Sequence, residues 1–332
     1  MSISLSDAIR MHVEEEARAS LVHDPRAMSK STLHFIDSII KAGRLCSKAL
    51  EGPLQALSLK SIEDFRADLL GHGLSEAYAR KHLDLISGAT HYAWKNGYVT
   101  YDLMQLWRAR RRPRKTKATR GAAQVEIDTL GKEAIHALLS DSERRGLNVF
   151  PALLLAIGSG LRLGEIRGLR WKHVSDCHLP AGLRLLHIKE SWPVAGDVGE
   201  IPKTGASRYV LYAELFRSWA REHRDLDEAL VMGKTDPRNM LTSLSKLAID
   251  VGIVGNVNWL TLRHTFASQL LTNGFPIDWI AAQMGNTPSV CAKHYARFID
   301  PWRRPVAVPD GMCPMDTIFD PGTLQEEQLI SS

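Results

Sequence analysis

Apolar positions in the first third of the chain recur at helical spacing. Ile62, Phe65 and Leu69 share one face behind Ser61-Ile62-Glu63-Asp64, a string with the form of a capping box. From Ser75 onward, Tyr78, Leu85, Ile86, Ala89 and Ala93 make a second stripe, continued by Trp94. Asn96-Gly97 supplies its stop signal. An earlier segment repeats the pattern at Leu33, Ile36, Ile39 and Ile40. The spacing predicts an all-helical region over residues 1–107 with no catalytic cluster of its own.

From about residue 126 the pattern changes. Leu130 to Leu139 reads as a helix, and Pro151 to Ile157 as an apolar one. Ser159-Gly160 breaks it, and Leu161 to Leu169 reads as a new short helix. Leu183 to Ile188 and Arg208 to Tyr212 alternate as strands, with Pro202-Lys203-Thr204-Gly205 as a turn between them. Helices are then expected over Glu214 to His223, Arg238 to Asp250, Leu260 to Asn273, Ile277 to Met284 and Pro288 to Phe298. The fold class is therefore mainly α with a small β-sheet: a helical N-terminal domain, then a mixed α/β domain over residues 126–300. Residues 301–332 carry Pro301, Pro305, Pro309, Pro314 and Pro321 and then Gln325-Glu326-Glu327. That composition is a poor core-former. It reads as a loose tail or as an arm docking on a neighbouring subunit.

A length of 332 residues suits two domains, and 44% hydrophobic with 24% charged residues suits an ordinary soluble globular protein. No apolar run is long enough to span a membrane, and the start, Met1-Ser2-Ile3-Ser4-Leu5, lacks the form of a signal peptide. The expected location is cytoplasmic, on the partner deduced below. Cys46, Cys177, Cys291 and Cys313 are scattered without metal-ligand spacing, so free thiols and no metal are expected. The net charge of +5 says little, but its distribution does. Arg108, Arg110, Arg111, Arg112, Arg114, Lys115, Lys117 and Arg120 occur without one acidic residue, and Pro113 and Gly121 disfavour a continuous helix. Residues 108–125 thus read as a basic interdomain linker, solvated when free and able to lie along phosphates.

Arg162 lies in Ser159-Gly160-Leu161-Arg162-Leu163-Gly164-Glu165-Ile166, at a predicted helix start whose N-terminal field favours an anion. Arg263 lies in Leu260-Thr261-Leu262-Arg263-His264-Thr265, and Tyr295 in Lys293-His294-Tyr295-Ala296-Arg297. Two guanidinium forks can grip one phosphate, and a tyrosine hydroxyl beside it is a candidate nucleophile. A lysine in a turn is ordinarily only solvated. Placed near the same phosphate, Lys203 is a candidate general acid for the leaving oxygen. These parts suit phosphoryl transfer through a covalent intermediate without a cofactor.

The order Arg, Lys, Arg, Tyr, with Leu-Arg-His-Thr-Phe-Ala around the second arginine, resembles the tyrosine recombinases, or phage integrase family. The detailed resemblance runs from about Phe150 to Phe298, and a pattern-level one covers the N-terminal third. It implies a site-specific DNA recombinase, an integrase of a phage or another mobile element, acting through a 3′-phosphotyrosyl intermediate. Arg162, Lys203, Arg263 and Tyr295 would be catalytic, with Lys189 as the fallback for the lysine and Asn286 assisting phosphate binding. Glu165 would orient an active-site group. The arginines and Lys203 would favour the tyrosinate. The helical domain would clamp one side of double-stranded DNA, and the protein would form a homotetramer on paired sites and a monomer or weak oligomer when free. A topoisomerase-like nicking-closing enzyme and a catalytically weak DNA-binding protein are the competing readings.

Two positions depart from the family's pattern. Leu260 stands where it has a histidine, and Asn286 where it has histidine or tryptophan. Leu260 is expected to pack among apolar neighbours such as Trp259. His264 is expected to point elsewhere on its helix as a satisfied structural histidine, although either it or His294 would be available to cover the missing group.

Overall fold

A computed structural model of the chain describes residues 3–21, 28, 30–41, 52–110, 128–175, 184–193, 206–299 and 313–318. The chain divides into two compact units, Met1–Arg120 and Gly121–Ser332.

The first unit is built from α1 (Leu5–Leu21), α2 (Lys30–Lys41), α3 (Leu59–Gly71), α4 (Glu76–Lys95) and α5 (Leu103–Arg110). Ser4 starts α1, its Oγ accepting from the Asp7 N–H at 3.1 Å. The α3 cap lies earlier than expected: Ser58, not Ser61, is the N-cap, and Ser61 answers as the third helical residue of the box. Ser75 caps α4 as expected. Ile9, Ile36, Ile39, Ile62, Phe65 and Ile86 fill the core, each burial stabilising by roughly 1.5–3 kcal/mol. Trp94 does not continue the α4 stripe and is 44% exposed. Helix α5 runs past the expected boundary at 107, taking the backbone of Arg108 and Arg110 into its last turn.

The second unit centres on α7 (Phe150–Ser159), every residue of which is buried. Around it pack α6 (Lys132–Arg144), α9 (Glu214–His223) and α11 (Trp259–Thr272). Helix α8 is Leu163–Gly168, shorter than predicted, so few peptide dipoles sum at Arg162. Among the described residues, three antiparallel strands lie in the order β1 (Val174–Ser175), β2 (Leu185–Ile188) and β3 (Arg208–Leu211). Leu186 faces Val210 across β2 and β3, and both are buried. The two-residue β1 was not foreseen, being too short to show alternation. Helices α10 (Pro237–Asp250), α12 (Ile277–Met284) and α13 (Pro288–Tyr295) complete the unit, and Ala296–Phe298 is a 3-10 turn rather than further α-helix.

The C-terminal region needs a correction. Cys313, Met315, Thr317 and Ile318 are buried, and Pro314–Ile318 packs on α7, α9 and α11 of the same unit. Asp316 takes both oxygens to Arg184 Nη2, at 2.8 and 2.6 Å, and its Oδ1 also accepts from the Glu214 N–H at 2.6 Å. This stretch is therefore neither a loose tail nor free for a neighbour. Residues 301–312 and 319–332 lie outside the described residues. Among the described residues no helix is long and apolar enough to cross a membrane, and no cluster of His, Cys, Asp or Glu is arranged to hold a metal ion.

Candidate active site

The site is assembled where α7, α11, α12 and α13 meet. Helix α7 ends at Gly160, whose φ of 63° is left-handed. A Cβ there would overlap the Phe266 ring, so glycine is required by both conformation and space. The freed carbonyl of Gly160 accepts from Arg263 Nη1. Helix α11 begins at Asn258, whose side chain accepts from the N–H groups of Leu260 at 2.9 Å and Thr261 at 3.1 Å. That cap sets the first turn, from which Arg263 turns inward.

Arg263 is 4% exposed, so it is no helix-surface arginine. Its Nη2 donates to the Met284 carbonyl at 2.7 Å and to Asn286 Oδ1 at 3.2 Å. Burial, and then the nearby Arg162, pull its pKa down to about 10, which leaves it charged at neutral pH. Arg162, the N-cap of α8, sends Nη2 to Asn286 Oδ1 at 2.7 Å and to the Gly285 carbonyl at 3.0 Å. The two guanidiniums thus converge on one oxygen. Guanidiniums only donate, so the Asn286 atom between them is its oxygen. Asn286 was expected to assist phosphate binding; its Oδ1 accepts from both arginines.

Glu165 holds Arg162 from behind. It is 1% exposed and accepts from Arg162 N and Nη1, both at 2.9 Å. Arg208, at the start of β3, completes the cluster with Nη1 and Nη2 on the two Glu165 oxygens at 3.0 and 2.8 Å. Burial works to raise the Glu165 carboxyl, but Arg208 and then Arg162 together outweigh it and hold it below the usual carboxylate range. Arg208 also donates to the Gln283 carbonyl at 3.1 Å and packs under Gly285, where φ is 62° and a Cβ would lie 2.8 Å from the guanidinium carbon. Sequence reasoning missed Arg208, since no local string marks it.

Tyr295 closes the site from the last residue of α13. It is 3% exposed, and burial pushes its pKa up to about 12 against the pull of Arg263. The arginines were expected to favour the tyrosinate; in the folded protein burial outweighs them. The Tyr295 hydroxyl lies 2.7 Å from His264 Nδ1. His264 therefore points away from Arg263, as expected, but what it meets is the Tyr295 hydroxyl. Burial, then His294 and Arg263, lower its pKa to about 4, so the ring is neutral at pH 7. His294 is half-buried, with its ring 6.2 Å from that of Tyr295.

These groups border a cleft of about 460 Å³ that also takes in Asp128 and Leu260. Leu260 is 57% exposed on its rim rather than packed, while its neighbour Trp259 is buried. Lys203 lies outside the described residues, as do Arg111, Arg112, Arg114, Lys115, Lys117 and Arg120. Lys189, the fallback, is exposed just beyond β2. Cys291 and Cys313 are free and buried.

Residues 129–299 match the model of the phage integrase family. The chain is 25% identical to a XerC-like tyrosine recombinase of Caldanaerobacter subterraneus subsp. tengcongensis over 53% of this chain and 52% of that relative, about half its length. It is 27% identical to the tyrosine recombinase XerC of Xylella fastidiosa over 83% of this chain and 89% of the relative. Among solved structures, the Tn1549 transposon integrase in complex with a circular intermediate DNA has a TM-score of 0.65 at 13% identity, over 89% of this chain and 95% of that one. A lambda integrase tetramer bound to a Holliday junction gives 0.63 at 17% identity, over 92% of this chain and 80% of that one. These likenesses establish the mainly helical fold with its small sheet.

Proposed function

The chain belongs to the phage integrase family, a family of tyrosine-type site-specific DNA recombinases, and from that membership we propose that it cleaves and rejoins double-stranded DNA through a 3′-phosphotyrosyl intermediate on Tyr295. One observation carries the reading: a tyrosine hydroxyl and two convergent guanidiniums border a single cleft. Arg162 and Arg263 hold the non-bridging oxygens of the scissile phosphate, and Tyr295 attacks it. Lys203 protonates the 5′ leaving oxygen, a step worth roughly 100- to 10,000-fold. Attack by the 5′-hydroxyl of a partner strand then reverses the chemistry. The bond energy stays in the phosphotyrosine, so no nucleotide cofactor enters.

The helical N-terminal unit clamps the duplex in this reading, and four copies act on paired sites. The substrate in this reading is the DNA of a phage or other mobile element undergoing integration or excision. The test is covalent trapping on nicked duplexes, followed by sequencing of the trapped DNA. DNA bound without any adduct would make the protein a binder only. Adducts that relax supercoiled DNA without two-site exchange would make it a nicking-closing enzyme.

Neutralising Arg110, Arg111, Arg112 and Arg114 together is expected to weaken binding at all sequences alike and to flatten the salt dependence of affinity, because fewer counterions are released. An unchanged slope in a titration from low to high salt would remove the linker from the phosphate contacts. Asn286→Ala is expected to slow single-turnover cleavage by roughly tenfold, less than the loss of a direct oxyanion donor, because Asn286 aligns both arginines. Cleavage at the wild-type rate would reduce Asn286 to part of the turn before α13.

A further inference from the structure

We propose that His264 is the group that takes the Tyr295 proton during cleavage and returns it during rejoining. The proposal rests on the reading of Tyr295 as nucleophile and adds to it the fate of the phenolic proton.

The geometry is direct. His264 Nδ1 stands 2.7 Å from the Tyr295 hydroxyl, with ring centroids 5.6 Å apart. Among the described residues the hydroxyl has no other hydrogen-bond partner. His294, the other imidazole in the cleft, makes no such bond, and Leu260 at the rim has nothing to titrate. With the imidazole proton on Nε2, Nδ1 is an acceptor aimed at the one proton that must leave. The charged and titratable groups around the ring are Arg263 on its own helix, His294 and Tyr295 on α13, and Asp128 ahead of α6. Two of these, Arg263 and His294, act with burial to keep the ring neutral and ready to accept.

In the step, the Tyr295 O–H bond breaks and its proton passes to Nδ1. The freed electron pair forms the O–P bond, the bond from phosphorus to the 5′ oxygen breaks, and Lys203 protonates that oxygen. The ring is then an imidazolium beside a new phosphodiester anion. In rejoining, the 5′-hydroxyl gives its proton to Lys203 as it attacks, and the departing Tyr295 oxygen recovers its proton from His264. Because the phenol titrates near 12 and the imidazole near 4, transfer ahead of attack is far uphill. The proton therefore moves as the O–P bond forms, while the incoming phosphate charge raises the basicity of the ring.

The experiment is single-turnover cleavage of a nicked duplex by the full chain, with non-covalent DNA affinity measured in parallel. His264→Gln keeps a hydrogen-bonding partner for the tyrosine but cannot carry a proton. It is expected to bind normally and cleave about 100-fold more slowly. His264→Ala is expected to be as slow and to recover in part when imidazole is added. A duplex whose 5′ bridging oxygen is replaced by sulfur separates the two proton transfers, since sulfur leaves without a proton. It is expected to restore Lys203→Ala and not His264→Gln. Wild-type rates for His264→Gln, or its full restoration by sulfur, overturn the proposal. Loss of DNA binding by both variants makes His264 structural and also overturns it. If the wild type itself forms no adduct, the reading of Tyr295 fails and this proposal falls with it. An active wild type with an unimpaired His264→Gln removes only the role of His264.

Discussion

Tyr295→Phe is expected to yield a folded, DNA-binding protein that forms no covalent adduct, a loss of roughly 10⁶-fold in cleavage, as for other enzymes stripped of their nucleophile. The ring is 3% exposed and is held by its packing, which phenylalanine preserves. What disappears is one oxygen and its bond to His264, worth about 0.5–1.5 kcal/mol of stability. Burial favours the neutral phenol over the tyrosinate, so the substitution removes no charge at neutral pH. Denaturing gels of trapped adducts read the chemistry, and mobility shifts read the binding. Adducts at the normal rate would sink the assignment. Tyr209, 62% exposed on β3, would then be the next candidate, whereas Tyr212 is buried with its hydroxyl on the Ser175 carbonyl.

The second large effect is expected at Glu165. Glu165→Gln keeps the volume but removes the negative charge that Arg208 and Arg162 share in the interior. Removing one partner of a buried ion pair typically destabilises by about 3–5 kcal/mol, since the remaining charge is left unpaired. Urea denaturation should show that loss, with cleavage falling as Arg162 loses its support. The pH dependence follows from the depressed carboxyl. Its stabilisation is present above the unfolded-state value and is lost as pH falls through the lower folded-state value. The variant should lack that part of the acid transition. Pairing it with Arg208→Met should recover part of the stability, because the orphaned guanidinium is gone. A single-variant loss under about 1 kcal/mol would mean that the cluster does not organise the site.

Arg162, Arg263 and Tyr295 were singled out because the short strings around them resemble the family's motifs, and the fold brings all three to one cleft. Arg208 was not, because its role depends on β3 passing beside the end of α12, a relation between distant segments. His264 illustrates a subtler gap. Adjacent helical residues do diverge by about 100°, as helix geometry requires. The arrangement uses that divergence: Arg263 turns toward Gly160 and Met284, and His264 toward α13. The direction was readable; what lay along it was not. Leu260 and Trp94 are apolar residues left at the surface, which periodicity alone does not flag. Cys313–Ile318 reads as tail because prolines break it, and only the slot between α7, α9 and α11 makes it core.

The oxygen of Asn286 serves as a spacer between two like charges. Arg162 and Arg263 both donate to it, so the two guanidiniums are tied to each other through one neutral acceptor. Neighbouring cations repel, and a shared acceptor offsets part of that repulsion. Side chains that are already immobilised lose less conformational entropy when a ligand binds. The cleft is in this sense preorganised, and binding energy that would otherwise order two flexible arginines remains for the transition state.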